Sequence, residues 1–273
     1  MKIAAVSYLN TAPLIEGLSA WEGCELVRAV PAGIGGMVAS GETDLGLASV
    51  VDYARYRDCD GGGLVMVPAG MIGCEGPTLT VRLFSSVPIE EITAVHADTD
   101  SHTSVVLCGL VLRSMGVEAE IVDFDVRERV ASGEGECSID PESDGWPEAV
   151  LMIGDKVVTG CPTAVRYPHQ VDLGEAWFGM TGLPFVYATW MCRARLRMDW
   201  IVMNHAKRLG WPTDLAQRYL GELLRFEVDD RAREAVGVFL SMAADAGLVE
   251  RAEPRWLELG NRVGVEAGEG VGS

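Results

Sequence analysis

A chain of 273 residues with 48% hydrophobic residues can build one large core or two smaller ones, and 22 basic against 40 acidic residues give it a formal net charge of -18. That charge argues against long-range attraction to nucleic acid or an anionic membrane, so neither is an expected partner, and an anionic ligand must be held by local donors. The seven cysteines, Cys24, Cys59, Cys74, Cys108, Cys137, Cys161 and Cys192, include no Cys-x-x-Cys pair and are odd in number, the pattern of free thiols in a reducing cytoplasm.

Strand and helix patterns alternate from the start. Lys2 to Val6 reads as a strand, Pro13 to Leu18 as a helix, Glu25 to Val30 as a strand and Gly33 to Ser40 as a helix. Asp44 to Ala48 and Leu64 to Val67 are further strands, and the alternation predicts a parallel α/β sheet. The first ten residues hold one lysine and an apolar run broken by Ser7 and Asn10, the pattern of neither a signal peptide nor a membrane anchor, so a cytoplasmic location is expected. A β-rich run from Leu79 to Ser85 precedes Val87-Pro88, after which the alternation restarts with Ile92 to His96 and so suggests a second lobe. There Thr103 to Met115 is apolar over most of its circumference and reads as a buried helix. Glu118 to Phe124 and Ala149 to Ile153 are strands, with a solvated loop at Gly133 to Pro147. The apolar run Leu183 to Met191 can carry the chain back to the first lobe. Only helix is expected beyond it, at Asp199 to Leu209, Asp214 to Phe226 and Asp230 to Leu248, before a frayed tail from Leu259 to Ser273.

Candidate binding residues fall at strand-to-helix turns, where unpaired N–H groups and short polar side chains face outward together. Ser7, Asn10 and Thr11 surround the first such turn, just before Pro13. Ser101, Thr103 and Ser104 surround another and could receive a carboxylate, although capping the helix is the simpler role for Ser101 or Thr103. Ser49 follows a strand and is a cap or a ligand contact, with local sequence favouring the cap; Gly154-Asp155 follows the strand ending at Ile153, and a structural role suits Asp155. Gly33-Ile34-Gly35-Gly36-Met37-Val38 breaks the dinucleotide fingerprint, because Val38 stands where the third glycine is needed. The four histidines, His96, His102, His169 and His205, lack metal-pair spacing, and no Walker loop or Gly-x-Ser-x-Gly elbow is present, so no metal and no cofactor are expected.

Several of these segments, in order, resemble one family. Ser7-Tyr8-Leu9-Asn10-Thr11-Ala12-Pro13-Leu14 is similar to the opening signature of the menaquinone-pathway chorismate dehydratases of the futalosine route. Gly41 to Leu45 with Ser49-Val50, Thr80 to Ser85, Ser101 to Val105, Leu151 to Asp155, Asp172 to Glu175 and Thr181 to Val186 continue the series, so the resemblance spans roughly residues 1 to 192. It implies an α/β, type II periplasmic-binding-protein-like fold of two lobes joined by two crossover strands around a ligand cleft. The implied lobe one is residues 1–85 and 188–273, with 86–187 as lobe two. It further implies a carbon-oxygen lyase, a hydro-lyase that converts chorismate to 3-[(1-carboxyvinyl)oxy]benzoate and water without a cofactor.

At the matched positions Asn10 and Thr80 are the expected catalytic residues, and Ser7, Thr11, Ser49, Ser101, Thr103, Ser104 and Gly154 the expected contacts to the small-molecule substrate. None of these side chains is a base near neutral pH, so the substrate's own enolpyruvyl carboxylate is the expected proton acceptor. Two other readings stay open: the sister enzyme making 1,4-dihydroxy-6-naphthoate, whose Ser-Pro-Cys-Pro-Asn-Asp opening is absent here, and a non-catalytic protein that binds a small acid.

Overall fold

A computed structural model describes residues 1–21, 23–57, 63–126, 146–162, 164–193, 212, 215 and 218–256. The helix expected at 199–209, the tail from 259, Cys59, Cys137 and all of the acidic loop up to residue 145 lie outside the described residues.

The first stretch runs β1 (Lys2–Ala5), α1 (Ala12–Ile15), β2 (Glu25–Arg28), α2 (Pro31–Ser40), β3 (Leu45–Ser49), α3 (Val50–Arg55) and the long β4 (Val65–Cys74). The second runs β5 (Val81–Ser85), β6 (Ala94–Asp98), α4 (His102–Ser114), β7 (Glu120–Phe124), β8 (Ala149–Ile153), α5 (Lys156–Thr159), β9 (His169–Asp172) and α6 (Leu173–Thr181). The chain then passes through β10 (Phe185–Cys192), a π-helical turn at Tyr219–Leu223, β11 (Leu224–Arg225) and α7 (Asp230–Asp245).

Two sheets result. One has strand order β11-β4-β10-β3-β1-β2 and the other β7-β6-β8-β5-β9. Both are mixed rather than purely parallel: β1, β2 and β3 pair in parallel, as do β6, β7 and β8, while β10 is antiparallel to β3 and β4, and β5 to β8 and β9. The antiparallel pairs arise where strands approach or leave the two passages between sheets, at 75–80 and 182–184, and so run against the wound strands. Strand β5, which a boundary after residue 85 leaves in lobe one, is hydrogen-bonded in the second sheet. Helix alone was expected after Cys192, yet the expected helix ending at Phe226 gives way to the π turn and to β11, which pairs with β4.

Local chemistry explains the main helices. Pro31 opens α2 and Gly41, at φ 82°, closes it in the left-handed conformation. Gly46 on β3 has no room for a side chain, since a Cβ would fall 2.6 Å from an Ile34 methyl and 2.7 Å from a Val38 methyl; α2 therefore lies close on the sheet. Helix α4 buries Leu107, Cys108, Leu110, Val111 and Leu112, in keeping with its apolar circumference. Trp177, Phe185 and Phe239 form edge-to-face pairs at 5.1–5.9 Å, tying α6, β10 and α7 together around the return passage.

The outward passage is strained and firmly held. Leu79 adopts φ 72°, a left-handed conformation disfavoured for a bulky side chain, immediately before Thr80. Asp172 offsets that cost: its carboxylate accepts from the Thr78 and Leu79 N–H groups at 2.9 and 2.7 Å while also capping α6 through Gly174 and Glu175.

Candidate active site

A pocket lies between the two sheets, with walls from the turn after β1, β3, the outward passage, the α4 N-terminus, the end of β8, β10 and the π turn. Asn10, Ser49, Thr80, Ser101, Ser104 and Gly154 all line it, so six residues from five separate segments meet. Ser7, Thr11 and Thr103 do not. Ser7 is exposed. Thr11 is fully buried and donates its hydroxyl to Asn10 Oδ1 at 3.2 Å, and Thr103 is fully buried and accepts from the Val51 N–H at 3.3 Å. The last two hold the pocket's supports: Thr11 fixes the Asn10 amide, and Thr103 joins the starts of α3 and α4.

Asn10 stands on a 3-10 turn directed into the pocket by Pro13 and the short α1 that follows. Its side chain is hydrogen-bonded to the Tyr219 phenol, whose oxygen lies 2.6 Å from Thr80 Oγ1. Burial pushes the Tyr219 phenol far up from its ordinary value, against the opposing hydrogen bonds from Thr80 and Asn10. Thr80 itself is buried, and its carbonyl accepts from the Gly154 N–H at 2.8 Å. That bond commits the Gly154 amide, so Gly154 supplies a wall rather than a donor. At φ 72°, with Tyr8 ring carbons 2.8–3.0 Å from where a Cβ would stand, the position admits glycine only.

On the opposite side Ser101 caps α4, accepting from the Ser104 N–H at 3.2 Å, and the two hydroxyls lie 3.0 Å apart. The first N–H groups of a thirteen-residue helix have no intrahelical acceptors and carry the positive end of its dipole, which makes this rim a place for an anion. Ser49 makes no side-chain cap bond to α3, contrary to the local expectation, and its buried hydroxyl faces the pocket. Asp155 likewise makes no cap bond; both of its oxygens accept from the Leu9 N–H, at 3.2 and 3.1 Å, and so clasp the turn that carries Asn10.

Tyr8, Thr78, Tyr187 and Tyr219 are pocket residues that sequence patterns did not mark as such. Thr78 Oγ1 lies 2.9 Å from the Tyr187 phenol and 2.7 Å from Cys74 Sγ, a buried polar chain joining the two passages. Burial raises the Tyr187 phenol well above its ordinary value and the Cys74 thiol to about 12. Tyr219 belongs to an i, i+4 series with Leu215 and Leu223 that reads as core packing; only its hydroxyl distinguished it. Among the described residues that line the pocket there is no Lys, Arg, His, Asp or Glu. No cluster of metal-ligating side chains occurs among the described residues.

The chain matches a family described as menaquinone biosynthesis over residues 1–211. It is 30% identical over 265 residues to a chorismate dehydratase of Thermus thermophilus, covering 85% of this chain and 91% of that protein. Among solved structures it superposes on a protein of Archaeoglobus fulgidus with TM-score 0.65 at 13% identity, covering 91% of this chain and 98% of the other. An alkanesulfonate-binding protein of Xanthomonas axonopodis pv. citri bound to MOPS gives TM-score 0.54 at 11% identity, covering 91% and 93%. The fold is periplasmic-binding-protein-like, with two α/β sheets facing one cleft.

Proposed function

The chain belongs to the menaquinone biosynthesis family, and from that premise we propose that it is a chorismate dehydratase, a hydro-lyase converting chorismate to 3-[(1-carboxyvinyl)oxy]benzoate and water. The observation that carries this reading is the pocket wall: amide and hydroxyl donors from both sheets converge there, and none of the described lining residues has a side chain that ionises as a base near neutral pH. A dehydration whose proton acceptor is the substrate asks for that and little more.

In the reaction the enolpyruvyl carboxylate takes the ring proton and hands it to the ring hydroxyl, the C–O bond breaks, and water leaves while the ring becomes aromatic and the carboxylate is restored. Asn10 and Thr80 are the catalytic residues, orienting the reacting groups and donating to the departing hydroxyl. Ser101 and Ser104, with the α4 N-terminus, receive a substrate carboxylate, and Ser49 and Gly154 bound the ring. Residues up to the first passage and after the return passage form lobe one, those between them lobe two. The described cysteines Cys24, Cys74 and Cys108 are free thiols, which suits action in a reducing cytoplasm.

Incubating the purified protein with chorismate and following product by chromatography tests the reading. The aromatic ether should accumulate over many turnovers without added metal or nucleotide. Stoichiometric binding with no product would make the protein a small-acid receptor instead.

A further inference from the structure

The 3-10 turn, the outward passage and the π turn bring three hydrogen-bonding side chains, Asn10, Thr80 and Tyr219, to one point of the pocket wall. Tyr219 is 1% exposed and packs against Leu9 and Leu224, so its ring could serve the core alone. Its hydroxyl has a more specific place. Asn10 Oδ1 accepts from Thr11, and the Asn10 hydrogen bond favours the ionised phenol, as a donor to its oxygen does, so the Asn10 NH2 group donates to the phenol oxygen. Thr80 Oγ1 lies 2.6 Å from the phenol oxygen, a distance at which either oxygen can donate, and a phenol that accepts from Asn10 has its own proton to give. A hydroxyl oxygen that already accepts has its own proton left for another acceptor, and the open side of Thr80 is the pocket.

We propose that Tyr219 is a positioning residue that holds the Thr80 hydroxyl as a hydrogen-bond donor toward the leaving group. The proposal rests on the dehydration reading above. The chain of donors runs one way, Thr11 to Asn10, Asn10 to Tyr219, Tyr219 to Thr80, Thr80 to the departing hydroxyl; no bond in the enzyme forms or breaks. Burial keeps the phenol protonated through neutral pH, so the donor stays in place, and Asp155 and Cys74 are the titratable groups whose charge acts on it. Were the phenol ionised, Thr80 would turn its proton to the phenolate and away from the substrate.

Steady-state kinetics of Tyr219→Phe, Thr80→Val and the double variant decide it. Tyr219→Phe should lower kcat about tenfold or more while KM moves less than about threefold, the signature of an interaction strongest in the transition state. In the Thr80→Val background the same change should have no further effect beyond about twofold, since the phenol acts through Thr80. A Tyr219→Phe enzyme with the parental kcat, or a loss that multiplies onto that of Thr80→Val, would overturn the proposal and leave Tyr219 a packing residue. Difluorotyrosine at position 219 keeps the shape and acidifies the phenol, so the alkaline decline of kcat should move to lower pH; an unmoved profile counts equally against it. A parent that binds chorismate and forms no product would remove the dehydration reading itself, whereas an active parent with a full-rate Tyr219→Phe removes only this inference.

Discussion

Asp100 and Ser101 are neighbours in the chain, yet they belong to two regions that treat polarity in opposite ways. Behind the pocket, Lys156 is 8% exposed and lies 2.5 Å from Asp98 and 2.8 Å from Asp100, and the Tyr8 phenol donates to Asp100 at 3.1 Å. On the pocket wall, one residue on, polarity is carried by neutral hydroxyls, an amide and a helix terminus. One buried ammonium bridges both carboxylates and so fixes where β6, the end of β8 and the α4 N-terminus sit; the neutral donors face the cleft. A protein with 18 more acidic than basic residues can in this way offer an anion a local site whose described lining residues include no cation, because short dipoles at fixed distances act strongly where water is excluded.

That contrast predicts that variants behind the pocket lower stability and variants on its wall lower turnover. Lys156→Ala removes the cation that two buried carboxylates share and should cost about 3–5 kcal/mol of folding stability, read from urea denaturation. A loss no larger than that of a surface ion pair would break the comparison. Asn10→Ala removes a positioned donor and should cost about 3 kcal/mol in the transition state, close to a hundredfold in kcat. Its melting temperature should move far less than that of Lys156→Ala; a dead Asp155→Ala beside an active Asn10→Ala would reassign the roles. Ser101→Ala straddles the two regions: loss of the cap should cost about 1 kcal/mol of stability and raise KM, with kcat less affected.

The smallest effect is one of pH. The Asp52 carboxyl lies wholly buried against His102 Nδ1 at 2.6 Å, and burial raises it above the ordinary 3.8 in spite of His102 and Arg55. As pH rises past 3.8 the unfolded chain releases this proton before the folded one does, so Asp52 subtracts stability until the raised value is passed. Asp52→Asn removes that slope. The melting temperature of the variant relative to the parent should therefore climb as pH increases through this window and level off above it.

Much of this molecule was legible in its sequence, and the exceptions share a cause. Ala149–Ile153 and the start of α7 at Asp230 fall where periodicity and capping residues put them. The alternation also announced two α/β units. It did not announce antiparallel passages, because strand direction depends on where the chain crosses between sheets, not on side-chain spacing. Nor did it announce β9 and α6, whose short spans carry little periodicity, although Asp172 at their junction holds both passage and helix. In the site, Asn10, Ser101 and Ser104 were marked by turn chemistry, since a strand feeding a helix displays its polar groups locally. Tyr219 was hidden because its hydroxyl has meaning only beside Asn10 and Thr80, which lie more than a hundred residues away in the chain.

The most direct test is a crystal structure of the Asn10→Ala enzyme with chorismate trapped in the cleft. One substrate carboxylate should lie within hydrogen-bond distance of Ser101, Ser104 and the first N–H groups of α4, with Thr80 beside the ring hydroxyl and no Lys or Arg in contact with either carboxylate. A carboxylate gripped by an arginine or lysine side chain, or a ligand seated away from Thr80, would contradict the account.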